Sequence, residues 1–443
     1  MKILFDTALF FEKLKNREVR QALKLLDDGD KADRNGIAAL KNEAFLNLVK
    51  QVFSYSHYYR DILQAHGYNE QSFRDISDIK KFPLLTKDNI KLYREKIMSV
   101  NIDPADCITR NSGGTTGEPI KMEINKQARI NDLYFYYRGL HWMGYSPGEP
   151  MVKFFGGSLG GNNSPTLKNK IKKWVSNELF MPAFSLDKDN ARHYLDTIKA
   201  KGKTHIQGYV SSIYSLAVYA KELNYKGLQI RGAFTTAEQL PAEQAGFISE
   251  VFNCDVKGFF GCAEVNCLGF QVKMGGPYIV PDEIVHMETV KHPDSGIENS
   301  FLITSLYNYR TPLLRYLNGD TGILEQGEKY TQINELSGRS ADMFRKADGS
   351  YISSILATQT MQITGLTEKI KKYQLIQESL QQITFKYESF TDDLNSVEKK
   401  HLLSVFKQRL GDEFIIDLVN TSEFLKSGSG KHRLMINNVQ QTT

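Results

Sequence analysis

The 443-residue chain is poor in several features, and each shortage excludes a class of protein. No apolar run approaches the roughly 20 residues that a membrane helix needs. The opening M-K-I-L-F-D-T-A-L-F-F is apolar, but Asp6 interrupts it and Glu12 and Lys13 follow without a small-residue cleavage site, so the expectation is a cytoplasmic protein. Cysteine is scarce: Cys107, Cys254, Cys262 and Cys267 form no C-x-x-C pair, which argues against a disulfide framework. Net charge is small, since 56 Lys and Arg against 51 Asp and Glu leave only +5, and nothing in that total calls for nucleic acid. The lysine clusters at Lys168, Lys170, Lys172 and Lys173 and at Lys369, Lys371 and Lys372 read as solvated faces, with an anionic acceptor such as a phosphorylated carrier as the lesser reading. Internal repeats and low-complexity tracts are lacking. The composition that remains, 41% hydrophobic and 24% charged, is that of a soluble globular protein long enough for two domains.

Hydrophobic periodicity sets out the elements. Phe45, Leu48, Val49, Val52 and Phe53 form one apolar helical stripe in a helical first hundred residues. Helices are expected at 127–142, 211–223 and 241–252, and strands at 151–155, 204–208, 232–235 and 255–260. This alternation predicts βαβ units with ligand sites at the C-terminal ends of parallel strands. Short alternating strands from Gly276 to Asp320 predict a smaller antiparallel or barrel-like subdomain. The last hundred residues read as strand 373–377, strand 382–387, helix 392–410 and strand 414–419. The fold class is therefore α/β: a large domain with parallel-rich sheets, residues 1–342, and a small mobile α+β C-terminal domain, residues 343–443.

Chemistry enters at Asn111 to Pro119, N-S-G-G-T-T-G-E-P, between two predicted strands. Gly113, Gly114 and Gly117 let the backbone approach a ligand closely, and Ser112, Thr115 and Thr116 add hydroxyls, a combination that wraps phosphate oxygens. ATP is the first ligand to consider. The G-K-[ST] ending of a Walker A loop is missing, because Glu118 and Pro119 follow Gly117. Taken alone, the run reads equally well as a hairpin connection.

Five further segments follow in order: T-T-A-E at Thr235, F-F-G-C-A-E at Phe259, Y-R-T-P-L-L-R-Y-L-N-G-D at Tyr309, S-G-R-S-A-D at Ser337 and S-G-K-H-R at Ser429. With the glycine-rich loop, and with Y-Y-R-D-I-L at Tyr58 and K-F-P-L-L-T-K-D at Lys81, the chain resembles the AMP-forming adenylate-forming ligases. The nearest resemblance is to the phenylacetate-CoA ligase group and its relatives in capsular-polysaccharide biosynthesis. The resemblance implies attack of an organic acid on the α-phosphate of ATP, giving an acyl-adenylate and pyrophosphate. The acyl group then passes to coenzyme A; the alternatives are an amine or carrier acceptor in cell-surface polysaccharide assembly, or a catalytically silent nucleotide-binding protein.

Carried over residue by residue, the resemblance makes Glu264 the protein ligand of Mg2+, with Thr115 or Thr116 nearby, and Lys121 a supplementary charge. Lys431 becomes the catalytic cation between carboxylate and α-phosphate, although a lysine in such a loop is ordinarily just solvated. Adenine is placed against Phe260 and lined by Ala237, Glu238 and Gly261; for Phe260 a core position is the equal alternative. Asp320, read as ending a Y-L-N-G-D turn, is assigned to the ribose hydroxyls with Arg339 in support. The acid pocket is placed between the 156–165 loop, Tyr209, Phe234, Cys262 and Asn266, and an aromatic or modest-sized acid suits that lining. Some relatives carry zinc near F-G-C-A-E, but Cys254, Cys262 and Cys267 lack metal-site spacing, and reduced thiols are expected. The family's usual hinge Asp is replaced by Ala341, with Asp342 next to it.

Overall fold

The computed structural model describes residues 16–111, 120–155, 176–293, 295–339, 343–347, 351–352, 360–361, 363–366, 369–425 and 433–439. Ser112, Gly113, Gly114, Thr115, Thr116, Gly117, the 156–165 loop, Ala341, Asp342 and Lys431 lie outside the described residues.

The apolar stripe of the first hundred residues lies on the Arg34–Tyr55 helix, which Asp33 caps by accepting from the Gly36 N–H at 2.8 Å. Phe45, Leu48, Val49, Val52 and Phe53 are all buried there, in one core with Phe73, Phe82 and Tyr316. Each fully buried side chain of this kind contributes about 1.5–3 kcal/mol, so the stripe accounts for the helix's position without any chemistry. Strands β1 (Cys107–Asn111) and β2 (Lys121–Asn125) pair antiparallel, with Asn111 opposite Lys121 at the end facing the glycine-rich loop.

The centre is an 11-stranded sheet. Its parallel part comprises β3 (Met151–Phe155), β4 (Glu178–Pro182), β5 (Thr204–Tyr209), β6 (Ile230–Thr236) and β7 (Asp255–Phe260). The antiparallel part comprises β8 (Gly269–Gln271), β9 (Tyr278–Ile279), β10 (Val285–Val290), β11 (Ser300–Ser305), β12 (Tyr316–Gln326) and β13 (Thr331–Arg339). The sheet runs in the order β10-β11-β12-β13-β9-β8-β7-β6-β5-β3-β4. The antiparallel strands foreseen from the sequence are therefore hydrogen-bonded into the parallel sheet through β7 and β8 and not set apart from it. Helices Ala191–Ala200, Val210–Glu222 and Ala242–Phe252 bury their apolar faces on the parallel strands.

Beyond β14 (Phe344–Arg345) and β15 (Tyr351–Ile352) comes a four-stranded sheet. It is built of β16 (Ile370–Gln377), β17 (Gln382–Ser389), β18 (Ile415–Asn420) and β19 (Met435–Asn437), in the order β18-β17-β16-β19. The Ser396–Leu410 helix packs on it through Leu402, Phe406 and Leu410 around Phe385. This helix starts later than the periodicity suggests because Asn395 and Glu398 form a capping box. Among the described residues, no helix is long and apolar enough to cross a membrane.

Candidate active site

Two of the motif segments end at the C-terminal edge of the parallel strands, where the topology of an open α/β sheet leaves a crevice. T-T-A-E closes β6, and F-F-G-C-A-E closes β7. Gly261 is required for the turn after β7, because a Cβ there would stand 2.0 Å from the Asn266 carbonyl oxygen. That close approach carries Glu264 back over the sheet, where its side chain is only 7% exposed.

Glu264 is held by a residue to which the sequence assigned no role. Tyr316, at the start of β12, donates its hydroxyl to Glu264 Oε1 at 3.0 Å. Burial, and then the Glu264 carboxylate, push the Tyr316 phenol far above its ordinary range, so it remains a protonated donor. Cys262 is also pushed well above a normal thiol, first by burial and then by Glu264. Asp320 raises both groups further, placing the two carboxylates in one electrostatic neighbourhood.

Asp320 does not end a turn as its Y-L-N-G-D context suggested. The segment lies inside β12, and Gly319, with φ at 86°, sits where the register with β11 shifts. A bulge re-aims the next side chain, which is how a glycine preceding Asp arises within a strand. Asp320 is 8% exposed, accepts from Asn318 Nδ2 at 2.6 Å, and its own N–H returns to Asn318 Oδ1 at 3.1 Å. Arg339 stands directly opposite in the β12–β13 register.

The hairpin that flanks the glycine-rich loop is fastened from the motif side. Glu123 on β2 takes Arg310 Nε at 2.8 Å and Arg94 Nη2 at 2.8 Å, and its N–H donates to Thr311 Oγ1 at 3.1 Å. Asn125 Oδ1 accepts from the Tyr309 N–H at 2.8 Å. On β1, Arg110 pairs with Asp132 at 2.6 Å, one residue before Asn111. The Y-R-T element thus fixes β2, and Asp132 holds β1.

Other assignments are redistributed. Glu238 grips the start of the Val210–Glu222 helix, accepting from the Ser211 N–H at 2.7 Å and the Ser211 hydroxyl at 3.0 Å. Tyr209, the N-cap, supplies no side-chain cap of its own, so a carboxylate from the neighbouring strand end meets the helix dipole instead. Ala237 beside it has φ at 68°, a left-handed conformation that costs an alanine about 1–2 kcal/mol. Phe260 lies in the core, tilted against Phe301 at 6.2 Å.

Phe234 was expected in the acid pocket. It is 1% exposed and stacked on His205 at 5.4 Å within the core beneath the strand ends, because strand alternation turns it inward. Tyr209 is buried with its ring edge-on to Phe155 at 5.5 Å. Asn266 lines a separate cavity of about 380 Å³ with Arg110, Asp132 and Tyr134. Cys254, Cys262 and Cys267 pack against three different cores. Among the described residues, no group of three or more His, Cys, Asp or Glu is arranged to hold a metal ion. Magnesium typically takes one or two carboxylates plus phosphate oxygens and water, so Glu264 as a single protein ligand is compatible with it.

In architecture and motif placement the chain resembles the adenylate-forming ligases and their relatives. Residues 344–438 match the CapK C-terminal domain family. The chain is 22% identical over 432 residues to Protein CapK of Staphylococcus aureus, covering 92% of this chain and 90% of the relative. It is 23% identical over 335 residues to phenylacetate-coenzyme A ligase of Thermus thermophilus, covering 70% and 72%. Among solved structures it resembles 2-hydroxyisobutyryl-CoA ligase in the postadenylation state, at TM-score 0.68 and 14% identity over 91% of this chain and 89% of the other. The same ligase in the thioesterification state gives TM-score 0.55 and 15% identity over 91% of each chain.

Proposed function

We propose that the protein activates an organic acid with ATP, forming an acyl-adenylate and releasing pyrophosphate, and then passes the acyl group to an acceptor, with coenzyme A as first choice. One observation carries the reading: Tyr316, on the strand that also carries the buried Asp320, donates to the buried Glu264 just past the end of β7.

In this reading Asp320 accepts from the ribose hydroxyls, and Arg339 opposite it supports the charge. Residues 112–117 wrap the phosphates, their strands held by Arg310, Thr311 and Arg110. Glu264 holds magnesium, whose charge offsets that of the triphosphate. Lys431 supplies the cation between the two anions, in a small C-terminal domain taken to begin at residue 343. The higher TM-score against the postadenylation form of 2-hydroxyisobutyryl-CoA ligase, 0.68 against 0.55 for the thioesterification form, supports reading the arrangement as that of the activation step.

The match of residues 344–438 to the CapK C-terminal domain favours a second reading for the acceptor alone: an amine or carrier in cell-surface polysaccharide assembly. Acid-dependent exchange of labelled pyrophosphate into ATP, over a panel of aryl, hydroxy and fatty acids, tests the first step. Exchange without formation of any CoA thioester selects the second acceptor.

A further inference from the structure

A cleft of about 670 Å³ lies between the Arg17–Lys31 helix, the Arg34–Tyr55 helix and the start of the Lys126–Trp142 helix. None of Glu264, Tyr316 and Asp320 lines it. Asp106, just before β1, and Asn125, the last residue of β2, both do, so the cleft sits at the root of that hairpin. Asn111 and Lys121 pair at the other end, about 13 Å along the strands. The cleft and the glycine-rich loop thus belong to opposite ends of one hairpin.

In the cleft lies an amide pair whose orientation is fixed. The Glu18 carbonyl can only accept, and it receives Gln127 Nε2 at 3.3 Å; the same Nε2 donates to Asn131 Oδ1 at 2.8 Å. Asn131 Nδ2, a donor, and Gln127 Oε1, an acceptor, are left buried with no hydrogen-bond partner among the described residues. Asn131 as a whole is 2% exposed. A buried polar atom without a partner costs about 1–3 kcal/mol, and two beside one cleft are a cost that packing alone does not explain.

The rest of the lining narrows the chemistry of a ligand. Tyr307 and Tyr309 contribute half-buried rings, and their hydroxyls have no partner among the described residues. Burial raises both phenols, Tyr309 to about 12, so both stay protonated and can donate as well as accept. Charge is nearly balanced: Lys126 pairs with Glu18 at 3.0 Å and Lys24 with Asp28 at 2.9 Å, leaving Arg17 against Glu43 and Asp106. A nucleotide would meet more negative than positive charge there, which argues against it. Aromatic rings beside unpaired donors and acceptors, with little net charge, suit a molecule whose own groups both donate and accept, as hydroxyls do. The volume is that of a small-molecule site.

We propose that this cleft is a second ligand site, for a free, uncharged sugar of one or two rings, with Asn131 and Gln127 supplying the amide donor and acceptor and Tyr307 and Tyr309 the aromatic wall. The site stands apart from the activation chemistry and does not rest on that reading.

Calorimetric titration and thermal melting of the full chain with D-glucose, D-galactose, N-acetyl-D-glucosamine and maltose test it. At least one of the four is expected to bind saturably with Kd of about 1 mM or tighter and to raise the melting temperature. Asn131→Leu removes the unpaired donor, and Tyr307→Phe removes one hydroxyl. Each is expected to weaken that binding at least about tenfold, while the sugar-free protein melts within about 4 °C of wild type. Should Asn131→Leu melt lower than that, Tyr307→Phe alone decides. Asp320→Asn, which is expected to disable pyrophosphate exchange, should bind the sugar as wild type does, so failure of the activation reading leaves this site standing. No saturable binding of any of the four sugars, binding that persists in a stably folded cleft variant, or binding lost in Asp320→Asn overturns the proposal.

Discussion

Replacing Tyr316 by Phe removes one hydroxyl and leaves a buried carboxylate short of a donor. An unsatisfied buried charge costs about 1–3 kcal/mol, so Tyr316→Phe is expected to lower thermal stability and to weaken the first half-reaction more than transfer, measured by melting and by pyrophosphate exchange. Ala237 makes the opposite case, because its φ of 68° suits glycine. Ala237→Gly should stabilise the fold by about 1 kcal/mol in urea titration, and a loss of stability would show that the alanine methyl packs usefully there. Both residues sit in motifs visible in the sequence. Neither a cross-sheet hydrogen bond nor a left-handed alanine has a one-dimensional signature, which is why the sequence marked their segments and missed their roles. For Phe234, alternation along β6 says that it points to one face, but not whether that face is core or pocket.

At the scale of elements, the β1–β2 hairpin depends on Glu123. Burial opposes its charge, but Arg310 and Arg94 outweigh that and hold its carboxyl below the ordinary value. A depressed carboxyl contributes stability that is present above the unfolded pKa and lost as pH falls through the folded one. Glu123→Gln should therefore cost of order 2 kcal/mol near neutral pH, and the gap in melting temperature from wild type should close as pH drops below about 4. A gap that is constant with pH would mean that packing, not charge, is lost. The secondary structure around this hairpin was largely legible. The stripe on Arg34–Tyr55 and strand Asp255–Phe260 follow directly from period and propensity. Strand Glu178–Pro182 and helix Ala191–Ala200 were not foreseen, because E-L-F-M-P is short, ends in proline and lacks alternation. The bulge at Gly319 looked like a turn because N-G-D satisfies turn chemistry equally well.

At the scale of the whole molecule, two of the ordered motifs come together where Tyr316 meets Glu264, while strand pairing and domain seating emerged only from the fold. Sequence periodicity gave no hint that the antiparallel strands extend the parallel sheet, or that Tyr373 reaches Glu243. The central claim is that ends of two sheet halves, a glycine-rich loop and a C-terminal lysine serve one acid-activating reaction. Acid-dependent exchange of pyrophosphate into ATP tests it most directly, with wild type compared with Asp320→Asn, Glu264→Gln and Lys431→Ala. The account predicts robust exchange with at least one organic acid in wild type, reduced at least about a hundredfold in each variant, and transfer from supplied acyl-adenylate largely retained in Lys431→Ala. Exchange that persists at the wild-type rate in the three variants, or that appears with no acid at all, would contradict it.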